Sequence, residues 1–121
     1  MKMLLIDTEL DEPKVIDIPD ELNEYYKHLK CSTIDITMRK VGGRQFDIIC
    51  DDEGLFAEHP IVTAMYRNFE PALVGNLIFA HHNSEGEMTA LSDEDVEIIK
   101  QNTITTYDFD AMEAHSIVML D

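Results

Sequence analysis

The chain has 121 residues, with 25 Asp and Glu against 9 Lys and Arg and a formal net charge of −16. That length suits one domain spanning 1–121, and 45% hydrophobic residues exclude a disordered acidic tail. The acidic balance argues against a general DNA- or anionic-membrane-binding surface, because phosphate contacts need Lys and Arg. No apolar run approaches the roughly 20 residues that span a bilayer.

Lys2 to Ile6 is a short apolar run and predicts a first strand. Leu10-Asp11-Glu12-Pro13 predicts a turn, and Lys14 to Ile18 a hairpin partner for the first strand. Asp20 is placed to cap a helix. In that helix Leu22, Tyr25, Tyr26 and Leu29 fall at i, i+3, i+4 and i+7, and Leu22, Tyr26 and Leu29 are expected against the sheet. Lys27, His28 and Lys30 crowd its last turn, where positive charge complements the helix dipole.

Ile34, Ile36 and Met38 alternate with polar neighbours, the period of a half-buried strand. Gly42-Gly43 signals a hairpin, and Phe46, Ile48 and Cys50 alternate on its far side. Asp51-Asp52-Glu53-Gly54 closes that strand with a polar turn. Pro60 predicts the first turn of a short helix with Ile61, Ala64 and Met65 inward, ended by Glu70-Pro71. Leu73 to Ala80 reads as one strand, with Gly75 marking a bulge or a close approach. After the turn Asn83 to Glu87, Met88 to Leu91 suggests a short returning strand. Ser92 then caps a second helix, with Asp95 in the position of a capping box and Asp93, Glu94 and Asp95 at the positive end of the dipole. Thr103 to Tyr107 has strand propensity, while Ala111 to Leu120 carries Met112, His115 and Met119 at helical spacing, so the tail is open between the two forms.

Several of these pieces occur together in one family: the opening Met1 to Ile6, the lead Ile16-Asp17-Ile18-Pro19 into an amphipathic helix, and the hairpin ending Ile49-Cys50-Asp51-Asp52-Glu53-Gly54. The middle Val74-Gly75-Asn76-Leu77-Ile78-Phe79 and the ending Leu91-Ser92-Asp93-Glu94-Asp95-Val96 belong to the same order. Over about residues 1–102 the chain resembles the domain-of-unknown-function family numbered 3846, small proteins met mainly in phages, plasmids and integrative elements of Gram-positive bacteria. The segment 103–121 departs from the usual family pattern. The resemblance carries no catalytic residue; it implies a mobile element acting on, or within, a bacterial cytoplasm.

The same compartment follows from Cys31 and Cys50, which sit beside strand-like segments as buried free thiols do. The start reaches Asp7 too soon to hold a signal peptide's apolar core. His81-His82, near Glu85 and Glu87, is the cluster that invites a metal, but adjacent residues on a strand point to opposite faces. Asp51-Asp52-Glu53-Gly54 lacks the ligand order of a calcium loop, and Val62 stands where its closing Glu would fall. No metal site, cofactor or catalytic constellation is therefore expected. Charge distribution says more. Lys27, Lys30, Arg39, Lys40 and Arg44 face only Asp35 between positions 27 and 44, a basic patch on an acidic body.

The expected fold is α+β, a mostly antiparallel sheet of about five strands with two or three helices on one face. The expected function is non-catalytic: a cytoplasmic protein of a phage or mobile element that engages a host protein, such as a nucleic-acid-binding defence enzyme, without binding nucleic acid or membrane itself. Asp51, Asp52, Glu53, Asp93, Glu94 and Asp95 are the candidate partner-binding residues, acting as a DNA mimic or anti-restriction surface. The alternative is a nucleotide- or anion-binding domain using Arg39, Lys40 and Arg44.

Overall fold

In the computed structural model, which describes residues 1–109 and 112–121, the chain starts with the predicted hairpin. Lys2–Ile6 (β1) pairs antiparallel with Lys14–Asp17 (β2), Lys2 opposite Asp17. Leu22–Leu29 forms helix α1, Ile34–Val41 is β3, and Arg44–Asp51 is β4. A short 3-10 turn at Gly54–Phe56 follows. Val62–Tyr66 (β5), Pro71–Val74 (β6), Leu77–His82 (β7) and Met88–Thr89 (β8) precede helix α2 at Asp93–Gln101. Thr103–Asp108 (β9) and Glu113–Leu120 (β10) end the chain.

These elements make an α+β fold with more strands than the sequence predicts, in two sheets instead of one. The larger has the order β2-β1-β7-β4-β3, all antiparallel, with β8 on the end of β7. The smaller has the order β6-β5-β10-β9, with β10 parallel to β5. Nor do the helices share a face. On one side of the larger sheet, Met3, Leu5, Ile49 and Ile78 pack on Tyr25 and Leu29 of α1. On the other, Leu4, Ile6, Phe46, Ile48 and Phe79 pack on Val96 and Ile99 of α2 and on Ala64, Val118 and Leu120 of the smaller sheet. Covering both faces explains why β1 and β7 read as near-continuous apolar runs and why Ile49 of β4, on the face opposite Phe46, Ile48 and Cys50, is buried as well.

Several local expectations are corrected. Asp20 does not cap α1: Glu21 holds the N-cap position without a side-chain bond, and Asp20 instead accepts from Tyr25 Oη at 2.6 Å and from the Met88 amide at 3.0 Å. Tyr25 and Leu29 are the buried residues of α1, whereas Leu22 is 56% exposed. Pro60 leads into strand β5, not a helix, because Val62 pairs with Val74 of β6 and Ala64, Met65 and Tyr66 pair with Val118, Met119 and Leu120 of β10. The run Leu73 to Ala80 is two strands in different sheets, with Gly75 at φ 75° and Asn76 making the passage between them.

The tail resolves to strands, although Ala111 lies outside the described residues. Val118 and Leu120 are fully buried, so β10 is part of the core. Gly42 and Gly43 take φ of 58° and 81°, the left-handed pair that a two-residue hairpin between Val41 and Arg44 requires. Ile36 and Met38 do not meet the half-buried expectation: α1 stops short of β3, leaving them 44% and 53% exposed.

Candidate functional site

Of the second acidic cluster Asp95 is turned inward by its neighbours, while Asp93 and Glu94 stay exposed. Ser92 Oγ accepts from the Asp95 amide at 3.0 Å, and Asp95 Oδ2 accepts from the Ser92 amide at 2.8 Å, the reciprocal capping box. Asp95 is 4% exposed and also accepts from Arg44 Nη1 at 2.8 Å, while His81 Nε2 lies 3.0 Å from its other oxygen. Burial opposes its charge, but hydrogen bonds from Arg44 and Ser92, with His81 nearby, outweigh that and hold the carboxyl down at about 2. Glu94 pairs with Arg44 Nη2 at 3.0 Å, and Asp93 pairs with Lys2, whose ammonium lowers the Asp93 carboxyl. All three carboxylates thus have cations supplied by strands β1 and β4.

This network also engages the basic hairpin. Arg44 is committed to Glu94 and Asp95. Arg39 donates to Thr37 Oγ1 and to the Met38 carbonyl, while Lys40 is exposed. The hairpin tip already holds an anion: the amides of Gly42 and Gly43 donate to the Asp121 carboxylate, with Arg67 at 3.4 Å. Those bonds, the Gly43 amide foremost, lower the Asp121 carboxyl.

Asp51, Asp52 and Glu53 are placed differently. They leave β4 and lead into the 3-10 turn, where Asp51 Oδ1 accepts from the Glu53 amide at 2.9 Å. Among the described residues none of the three forms an ion pair. Directly after them Leu55 is 76% and Phe56 85% exposed, on a turn that begins at Gly54, where an added Cβ would come within 3.2 Å of Val74 Cγ2. A small cleft of about 180 Å³ opens beside this turn, lined by Asp51, Asp52, Leu55 and Leu73 among others. Carboxylates and large apolar side chains therefore project together from one short segment.

A family model described as Domain of unknown function (DUF3846) matches residues 1–104. The chain belongs to that family. Searches among curated proteins and among solved structures found no match. The DUF3846 match takes in every element from β1 to α2 and both acidic clusters, and it ends at the start of β9. Strand β10 lies beyond it, yet bonds to β5 and β9 in the middle of the smaller sheet.

The adjacent histidines do point to opposite faces. His81 stacks on Phe46 at 5.2 Å on the α2 side, and His82 Nδ1 meets Asp47 Oδ2 at 2.7 Å on the α1 side. A shallow bowl of about 330 Å³ over this pair is lined by Met38, Gln45, Phe46, Asp47, His81 and His82. Sequence reasoning missed Asp47, although a lone charge between Phe46 and Ile48 in a strand buried on both faces was a signal. It also missed Leu55 and Phe56, two apolar residues inside an otherwise polar and Pro-bounded loop. Among the described residues no helix is long and apolar enough to cross a membrane.

Proposed function

We propose that this DUF3846 chain is a non-catalytic binding protein that docks a basic protein surface bearing an apolar pocket, using Asp51, Asp52, Glu53, Leu55 and Phe56. The observation that carries the reading is the exposure of Leu55 and Phe56 immediately after three carboxylates that hold no ion pair among the described residues. Each large apolar side chain gains about 1.5–3 kcal/mol when withdrawn from water, which supplies affinity, while the carboxylates supply steering and orientation. A net charge of −16 raises the encounter rate with a basic partner and repels acidic ones. In its finer form the reading is of a phage or mobile-element protein in the bacterial cytoplasm. There the partner is a host nucleic-acid-binding enzyme and the carboxylates occupy phosphate positions in its groove, an anti-restriction role. The support for that form is the genomic context that the family resemblance implies, together with the acidity.

The test uses two variants, D51N/D52N/E53Q and L55S/F56S, as baits in host lysate at two salt concentrations. A protein retained by the wild type, released by salt and lost from both variants at unchanged melting temperature is the expected result. Retention unaffected by either variant refutes the reading. A rise in melting temperature with nucleotides, abolished by R39Q/K40Q, would favour the basic hairpin instead.

A further inference from the structure

Strand β3 forms one edge of the larger sheet, and the arrangement of its polar groups selects a partner. Val41 opposes Arg44 across the Gly42-Gly43 turn, and Thr33 O accepts from the Asp52 amide at the far end. In an antiparallel ladder this fixes the odd-numbered residues of β3 toward β4. The even-numbered residues, Ile34, Ile36, Met38 and Lys40, aim their N–H and C=O groups at the open edge. No strand among the described residues pairs there. Asp35 Oδ1 meets the Ile36 amide at 2.9 Å, Arg39 Nη1 meets the Met38 carbonyl at 2.9 Å, and the Asp121 amide meets Lys40 O at 2.9 Å. Arg39 Nε is buried with no hydrogen-bond partner, and the side chains of Ile36 and Met38 lie half-exposed beside the edge. An eight-residue edge with exposed apolar side chains is a template for another strand.

We infer that the strand it takes is β3 of a second copy, in an antiparallel pairing about a two-fold axis through Thr37. In that register Ile36 faces Met38 of the second copy, and Met38 faces its Ile36. Both residues turn their backbone groups outward, so these are hydrogen-bonded pairs. Asp35 then stands opposite Arg39 of the second copy, and the reverse, on the face where Arg39 Nε lacks a partner. Moving the axis to Ile36 or Met38 keeps the backbone parity but leaves Asp35 opposite Thr37 or Val41, and both charges without opposites. Moving it by half a residue sets outward groups against inward ones. The charge pattern of β3 therefore fits itself in one register. The contacts that Asp35 and Arg39 make to their own edge are exchanged on pairing for bonds across the interface. The ladder ends at Lys40, whose carbonyl already has the Asp121 amide.

Sedimentation velocity of the whole chain tests this with charge reversals at exposed Asp35 and part-buried Arg39. The wild type is expected to sediment as a dimer at about 50 µM, while D35R and R39D each weaken association at least about tenfold. An equimolar mixture of D35R and R39D is expected to regain the dimer, because each reversed charge then meets its opposite across the axis. Circular dichroism melts of the two variants separate loss of pairing from loss of fold, and I36K serves as a second disrupting variant. A wild type that stays monomeric overturns the inference. So does a dimer indifferent to both reversals, or a mixture that stays as weak as its components.

Discussion

Replacing Asp95 with Asn perturbs the most heavily bonded carboxylate in the chain, and its effect can be worked from the structure. Burial disfavours the Asp95 charge, yet the donors from Arg44 and Ser92 hold the carboxyl at about 2 against its ordinary 3.8. The folded chain therefore binds that proton less tightly than the unfolded chain. The resulting stabilisation is complete above about pH 4 and is lost as pH falls through about 2. At about 1.4 kcal/mol per pH unit the difference amounts to about 2 kcal/mol. D95N forfeits that share and leaves Arg44 with Glu94 alone, so at pH 7 it should be about 2–4 kcal/mol less stable. Urea unfolding of both proteins at intervals from pH 7 to pH 2 measures the gap. It should narrow by about 2 kcal/mol between pH 4 and pH 2. A gap that stays constant over this range would refute the electrostatic reasoning and assign the loss to packing or to the cap alone.

Two further perturbations follow from burial. Leu29→Ala should cost about 2–5 kcal/mol in urea unfolding, because Leu29 packs in the core beneath α1. Leu22→Ala, at an exposed position of the same helix, should change stability by no more than about 0.5 kcal/mol. Burial, with the carboxylates of Asp35 and Asp51 nearby, pushes the Cys50 thiol up to about 11, and burial raises Cys31 as well. At pH 8 both should react slowly with a thiol reagent in the native protein and promptly in denaturant, counting two free thiols. Fast native labelling of Cys50 would contradict its placement.

The parts of the fold legible in the sequence are those set by neighbours. Ser92 and Asp95 stand three apart, and the capping box they announce is present. Gly42-Gly43 fixes a two-residue turn, and β1 with β2 needs only a short connection. What escaped is set by partners distant in the chain. Val62 to Tyr66 became a strand because β10, some fifty residues later, lies parallel to it. In the apolar run from Leu73 to Ala80 only Gly75 and the polar Asn76 mark the change of sheet. The candidate site divides the same way. Asp51 to Glu53 read as a turn, and Asp52 and Glu53 form one at the end of β4, whereas the partners of Asp93, Glu94 and Asp95 are Lys2 and Arg44, brought in by strand order. Periodicity could not show that α1 would leave Ile36 and Met38 uncovered.

If the turn after β4 meets a partner protein, a photo-crosslinking residue at position 56 will capture it. Phe56 is among the most exposed side chains of the chain, so the replacement should leave the fold intact, and the same residue placed at exposed Glu58 and at Lys27 on α1 supplies graded controls. Irradiation in cells that carry the protein should give one dominant adduct from position 56, weaker adduct from position 58 and none from position 27. The crosslinked peptide should come from a basic region of the partner, and D51N/D52N/E53Q should abolish the adduct. Equal adducts at all three positions, or none at position 56, would contradict the account.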